Sequence, residues 1–464
     1  MEKEQYQVEH SKLNMASYGA GKALSEFIQM AFSTFVFYYY EKEIGLNPWL
    51  TAIGFFIFAV WNAINDPLVG HLTNRPFKFT KKWGRRFPWV IIGGIPWLLS
   101  YLLIFLPPST NATTDSLLIF GWLVLATCIF DTFFSIWWIG FAALFPDKFR
   151  SLEERRTVQA IATPIGIIGI ALGFILPPLI IERGDLVSYV IQAGVMIIGG
   201  LVILSASLPG CREDQETIDR YLSKHSDRSE RKPFFSMLKE ALKQKSFFVF
   251  IIAYTLYRGM ILTFQASLPY LVDDVLSVPD DYISLFSVGF LLGAFISAPL
   301  WIKLTHKVNN NKKVIVSASL FLTIATFPFI FIRELILIFI VITIWGVGLG
   351  GFWSLLAPVL ADVIDESVAM TGKREEGIYS GYQAFFGRLG IILQAFTFAI
   401  VHVLTGYNPD ADTQTPLATF GIHIHFALVP MIFMLIATLV LWKWYDLTPE
   451  KVEIHQNKIE ELKL

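Results

Sequence analysis

The stretch GCREDQETIDRYLSKHSDRSERKPFFSMLKEALKQK, residues 210–245, is the longest polar run inside a chain otherwise built of apolar segments. It carries nine Lys and Arg residues and separates two comparable sets of such segments. Back from it lie 23–40, 48–74, 88–107, 116–146, 157–181 and 187–209. Forward from it lie 246–272, 282–305, 314–332, 335–361, 377–403 and 419–445. Each is close to the roughly 20 residues that a helix needs to cross a bilayer core. The Gly and Pro inside them are better tolerated in lipid than in water. The sequence thus predicts an all-α integral membrane protein with about twelve transmembrane helices in two six-helix halves. The first bundle takes 1–209, a basic linker 210–245, the second bundle 246–445 and a tail 446–464.

Composition agrees with a lipid solvent. Of 464 residues, 54% are hydrophobic and 16% charged, against about 25% charged in soluble proteins. The net charge of −1 leaves no basic excess for nucleic acid. Cys128 and Cys211 stand far apart without His at ligand spacing, which argues against a disulfide scaffold or a cysteine zinc site. The first twenty residues are polar, so the first apolar span is expected to act as its own signal. Loops after even-numbered spans hold 24 Lys and Arg, including Arg75, Lys78, Arg150, Lys373 and Arg374; loops after odd-numbered spans hold only Lys42, Arg183 and Arg333. That asymmetry places both termini in the cytoplasm of a multi-pass cell-membrane protein. Expected partners are membrane lipid and a small-molecule solute, with the monomer as the working unit.

Pro67-Leu68-x-x-x-Leu72-Thr73-x-Arg75 after span two recurs as Pro299-Leu300-x-x-x-Leu304-Thr305-x-Lys307 after span eight. A six-plus-six chain with such a repeat reads as the major facilitator fold. Five ionisable residues stand well inside spans: Glu26, Asp66, Asp131, Arg258 and Arg388. Each costs about 2.5–3.5 kcal/mol near a helix centre and so needs a partner or a hydrated site. Ion pairs that lock helices together are the plain explanation. Three acids against two bases, however, leave one negative charge for H⁺ or Na⁺ to neutralise, as a cation symporter requires. Asn62 and Asp66 are four apart, on one helix face, and both offer oxygen to a hard cation. Pro67 cannot bond back to Ala63, which frees a carbonyl beside them.

Asn62-Ala63-Ile64-Asn65-Asp66-Pro67-Leu68-x-Gly70, followed by Lys82-Trp83-Gly84-Arg85-Arg86-Phe87-Pro88-Trp89, resembles helix two and the next loop of the glycoside–pentoside–hexuronide:cation symporters. Ala361-Asp362-x-x-Asp365 with Thr371-Gly372-Lys373-Arg374-Glu375-Glu376-Gly377-Ile378-Tyr379-Ser380 is similar to their loop between helices ten and eleven, and Tyr18-Gly19 through Glu26 to Tyr38-Tyr39-Tyr40 to their first helix. The resemblance implies alternating-access symport of a sugar or sugar acid, with no cofactor beyond the coupling H⁺ or Na⁺. It puts the two helix-two carboxylates of the family's cation site on Asn62 and Asp66, the helix-one sugar-site acid on Glu26 and the helix-eleven lysine on Arg388. Anchored on Ile139–Leu144, the helix-four acid falls near Trp138 rather than on Asp131, and the helix-five arginine near Thr163 or Pro164. Vertebrate lysophosphatidylcholine importers resemble the same family, so a lysophospholipid is the alternative solute.

The expected cation-coupling residues are therefore Glu26, Asn62 and Asp66, and the expected solute residues Glu26, Asp131, Trp138, Arg258 and Arg388. With an amide in place of one acid, proton coupling through Asp66 or Glu26 is preferred to Na⁺. Arg388 is expected to meet acids of the first half across a mid-membrane cavity, with Arg258 pairing with Asp131 as the competing arrangement. Trp61, Trp137 and Trp138 suit either a pyranose face or packing. His402, His423 and His425 read as interface histidines rather than metal ligands, since residues two apart face different helix sides. The glycines 346, 348, 350 and 351 read as close helix packing. No HExxH or GxSxG occurs in the spans, which counts against an intramembrane enzyme.

Overall fold

A computed structural model describes residues 10–73, 77, 79–149, 151–215, 217–218, 234–372, 376–411 and 413–461. Arg75, Lys78, Arg150, Lys373, Arg374 and linker residues 219–233 lie outside them. The chain divides into two units, Met1–Glu230 and Arg231–Leu464, and the division falls inside the polar stretch 210–245.

The first unit is built from α1 Lys12–Tyr38, α2 Pro48–Thr73, α3 Phe87–Ile104, α4 Ala112–Lys148, α5 Leu152–Ile175 and α6 Leu186–Cys211. The second is built from α7 Lys245–Tyr270, α8 Asp281–Val308, α9 Asn311–Thr326, α10 Leu335–Thr371, α11 Glu376–Thr405 and α12 Pro416–Trp444, with a π-turn over Ile424–Leu428. A short α13, Pro449–Glu461, packs on α10. Short polar side chains start several of these helices. Ser11, Asn111, Ser151, Asp185, Asn310 and Thr415 each accept a backbone N–H of the first turn, which satisfies donors that a helix start leaves open.

Among the described residues, eleven helices are long and apolar enough to cross a membrane. The twelfth expected span lies in α1, which is long enough at 27 residues but is not among the eleven. Lys22, Glu26 and Gln29 fall within it and lower its apolar character.

The repeat seen in the sequence extends to the packing. In the first unit α1 packs on α5 and α6, α4 on α2 and α3, and α3 on α6. In the second, α7 packs on α11 and α12, α10 on α8 and α9, and α9 on α12. Each pairing is the first set moved on by six helices. Both α1 and α7 end in a five-residue π-turn, Tyr39–Glu43 and Leu271–Val275. These turns stand at the same spacing in the chain as Pro67 and Pro299.

Glycine sets the closest approaches. A Cβ on Gly169 of α5 would lie 2.2 Å from the Ala23 carbonyl oxygen of α1, and one on Gly350 of α10 would lie 2.4 Å from that of Ala294 on α8. The backbones meet there because no side chain intervenes.

Candidate functional site

α2 and α4 run side by side, and their polar residues meet in one register. Asn62 donates through Nδ2 to Asp131 Oδ1, and Ser135 donates to Asp66 Oδ1; both pairs are 69 residues apart in sequence. Asn65 Nδ2 adds a hydrogen bond to Asp131 Oδ2 at 3.2 Å, and Trp61 Nε1 donates to Thr132 Oγ1 at 3.0 Å. Residues 62, 65 and 66 share a face of α2, and 131 and 135 share one of α4. Asp131, Asn62 and Asn65 are buried, at 2%, 5% and 3% exposure. An ionised carboxylate only accepts, so the amide nitrogen of Asn62 must face Asp131 and its oxygen must face elsewhere. That Oδ1 is buried and accepts no hydrogen bond among the described residues. The contact thus gathers two carboxylates, an amide oxygen and two hydroxyls, the donor set of a hard monovalent cation.

Asp131, one of the intramembrane acids that the sequence singled out, is the acid that faces Asn62; the resemblance puts the helix-four acid near Trp138. The two positions differ by seven residues, two helical turns, so they point to nearly the same side and periodicity does not separate them. Trp138 stacks on Phe134 and lies tilted against Trp137 and Phe141 on α4. Asn65, Thr132 and Ser135 were not singled out as site residues by the sequence. The four-residue spacing of 131/135, matching that of 62/66, could have found Ser135; nothing in the sequence marked Asn65 or Thr132 as its neighbours.

The charge count also changes. Lys22 lies within α1, one turn before Glu26, and its Nζ is 3.5 Å from Thr163 Oγ1 of α5. A Cβ on Gly166 would touch its stem. The resemblance puts an arginine near Thr163; here α1 supplies a positive charge to that neighbourhood. With Lys22 counted, three bases stand against Glu26, Asp66 and Asp131, so the one-charge excess does not hold. The case for a cation rests on the α2–α4 group itself.

In the second unit the repeat carries Asn62 and Asn65 onto Ala294 and Ser297 of α8, which close on Gly350. Ser297 donates to backbone carbonyls of Ala294 and Val347. Small residues therefore fill the place of the acid–amide group, and the polar site belongs to the first unit. The second unit offers cations instead. Arg258 on α7 and Arg388 on α11 are both half-buried, and their helices are in contact, with a Cβ on Gly390 falling 2.8 Å from the Arg258 carbonyl carbon. Glu26 is half-buried on α1, in the other unit from Arg388.

At the linker-side end of the first unit, His10 is clipped between two acids. Its Nδ1 is 2.6 Å from Glu154 Oε1 and its Nε2 is 3.5 Å from Asp214 Oδ2. The hydrogen bonds to Asp214 and Glu154 raise the His10 pKa above its usual value, and the same bond from His10 holds Asp214 well below the usual carboxylate range. Glu213 Oε2 accepts the Arg86 and Phe87 N–H groups at the start of α3; burial pushes its pKa up, and those N–H groups oppose the shift.

A family model described as MFS/sugar transport protein matches residues 17–449. The chain belongs to that family. It is a multi-pass membrane transporter of the major facilitator fold, as the resemblance of its motifs to the glycoside–pentoside–hexuronide symporters implied. The sodium-dependent lysophosphatidylcholine symporter 1 of Mus musculus is 23% identical, covering 97% of this chain and 88% of its own. The glucuronide carrier protein homolog of Escherichia coli is 23% identical over 96% of this chain and 95% of its own. The lactose permease of Lactobacillus delbrueckii is 24% identical over 86% of this chain and 63% of its own.

Proposed function

We propose that this transporter is a Na⁺-coupled symporter of a small anionic solute, a sugar acid, with the α2–α4 group as its cation site. The carrying observation is Asp131, a carboxylate buried among the amides of Asn62 and Asn65. Counting only helix two, one acid is an amide and H⁺ is the natural ion. Counting Asp131 restores two carboxylates, which suits Na⁺. Asp66, Asn62, Ser135 and Thr132 complete the proposed ligand set, and Glu26 lies outside it on α1. Arg258 and Arg388 supply the positive charge that a carboxylate or phosphate on the solute would meet, and a guanidinium keeps that charge at any working pH. A sodium-dependent lysophosphatidylcholine symporter, a glucuronide carrier homolog and a lactose permease among the relatives support transport by this fold, symport in the first case, and leave the solute class to chemistry.

A lysophospholipid is the second reading, supported by the similarity to the mouse lysophosphatidylcholine symporter along 97% of this chain. Its phosphate would use the same arginines. Both termini are proposed to be cytoplasmic, on the Lys and Arg asymmetry. A cysteine replacing Asn111 should then label from outside and one replacing Lys451 only after permeabilisation. Reconstituted protein given an inward Na⁺ gradient should accumulate a hexuronide above a neutral hexoside. Accumulation of lysophosphatidylcholine alone would select the second reading, and accumulation that ignores Na⁺ but follows a pH gradient would return the ion to H⁺.

A further inference from the structure

The segment that joins α2 to α3 carries six Lys and Arg residues between 75 and 86, and no Asp or Glu occurs from 67 to 114. Arg75 and Lys78 lie outside the described residues. Among the rest, the fold itself uses Arg86 and leaves Lys81 and Lys82 exposed.

Arg86 is buried, and its Nε donates to Asp147 Oδ2 at 3.2 Å, at the end of α4. Its backbone N–H and that of Phe87 are held by Glu213, just beyond α6. Gly84 permits that approach, with φ at +88° and a Cβ there falling 2.1 Å from Glu213 Oε2. Before it in the chain, Phe77 and Phe79 stack on each other at 5.1 Å, and both meet Trp89 of α3 edge-on. The segment is thus pinned on both sides to helices of the first unit.

Between those anchors Thr80–Trp83 forms a single helical turn that leaves Lys81, Lys82 and Trp83 exposed, the indole at 44%. Among the described residues neither lysine has an ion-pair partner. Lys82 Nζ lies 5.5 Å from the centre of the Trp83 ring, which stacks on Phe87. The span of α3 begins at Phe87. Trp83 therefore stands one turn outside it, at the depth where Trp and Lys flank a bilayer. The repeat supplies a comparison. The α8–α9 loop of the second unit is basic too, but there Lys313 stands within electrostatic reach of Glu450, at the start of α13. The chain meets that charge itself. Beside α3 the charge is left for an outside anion, and at this depth the phosphodiester of an acidic lipid supplies one.

We propose that Lys81, Lys82 and Trp83 form a headgroup site for an anionic phospholipid. The site rests on neither the solute, the coupling ion nor the orientation of the termini proposed above.

Photocrosslinking of the intact protein in nanodiscs tests it without solute or Na⁺. The discs hold equal parts of phosphatidylcholine and phosphatidylglycerol in both leaflets, and one lipid or the other carries a diazirine near the headgroup end of its acyl chain. Mass spectrometry then reads how much of each lipid is attached to the peptide covering 79–89. A lysine beside an anionic headgroup is worth about a fivefold gain in binding, so labelling by phosphatidylglycerol should exceed labelling by phosphatidylcholine by at least about tenfold. The double variant Lys81→Gln/Lys82→Gln should bring the two to within about twofold of each other, because glutamine keeps the length and drops the charge. Lys313→Gln, in the basic loop of the second unit, should leave the preference at this peptide intact. Equal labelling of the unmodified protein by both lipids would overturn the proposal, as would a preference that survives in the double variant or one that is lost in Lys313→Gln.

Discussion

At the residue scale the account turns on Asp131. Asn62 and Asp66 were legible because a polar pair four residues apart inside an apolar span is rare and faces one way. The partner of Asn62 was not legible. Asp131 stood out as an acid inside an apolar span, but that it meets Asn62 appears only once α4 is set beside α2. Lys22 was missed for a different reason: it stands just outside the apolar window that marks the first span, while α1 itself starts ten residues before it. Asp131→Asn should weaken apparent Na⁺ affinity by at least about 10–100-fold, the loss that removing even an outer partner of a bound metal brings. Ser135→Ala, which removes one hydroxyl and leaves Asp66 in place, should cost less. The Na⁺ dependence of initial uptake rates, compared at equal amounts of protein in the membrane, checks both.

At the scale of elements, the packing is carried by glycine where helices touch and by short polar caps where they start. Gly169→Ala and Gly350→Ala press a methyl into facing backbone and should each destabilise by about 1–3 kcal/mol. Gly121→Ala, with nothing within 4 Å of its Cβ, should stay within about 0.5 kcal/mol. Thermal unfolding in detergent separates the two cases. The clip of His10 between Glu154 and Asp214 has its own pH signature. His10 is raised, so its contribution is complete below its unfolded pKa of about 6.5 and is lost as pH rises through the raised folded value. Asp214 is lowered, so its contribution is complete above about 3.9 and is lost only as pH falls through its depressed value. Protease cleavage near Lys12 should therefore be slow at mildly acidic pH and quicken on alkalinisation. His10→Ala should be cleaved at the fast rate throughout. None of this clip was legible, because His10, Glu154 and Asp214 are brought together only by the meeting of the N-terminal segment with α5 and the end of α6.

At the scale of the whole molecule, the six-plus-six plan was open to reading because each bilayer-length apolar run carries its own signal, and the break at 210–245 is polar and basic. The packing repeat was only hinted at by two Pro-Leu motifs; its counterpart in contacts needed the folded chain. The same repeat explains why a single cation site is expected. The second unit answers Asn62 and Asn65 with Ala294 and Ser297 against Gly350, so a duplicated scaffold holds an acid–amide group in one copy and close packing in the other. The arginines on α7 and α11 are the groups proposed to meet the anion of the solute in that second copy. Coupling then requires that solute and Na⁺ move together. The direct test imposes no Na⁺ gradient: proteoliposomes with equal Na⁺ on both sides receive an inward gradient of a hexuronide, and the movement of radioactive Na⁺ is followed. Solute-driven Na⁺ entry that disappears in Asp131→Asn is the expected result, and solute entry with no accompanying Na⁺ movement would contradict the account.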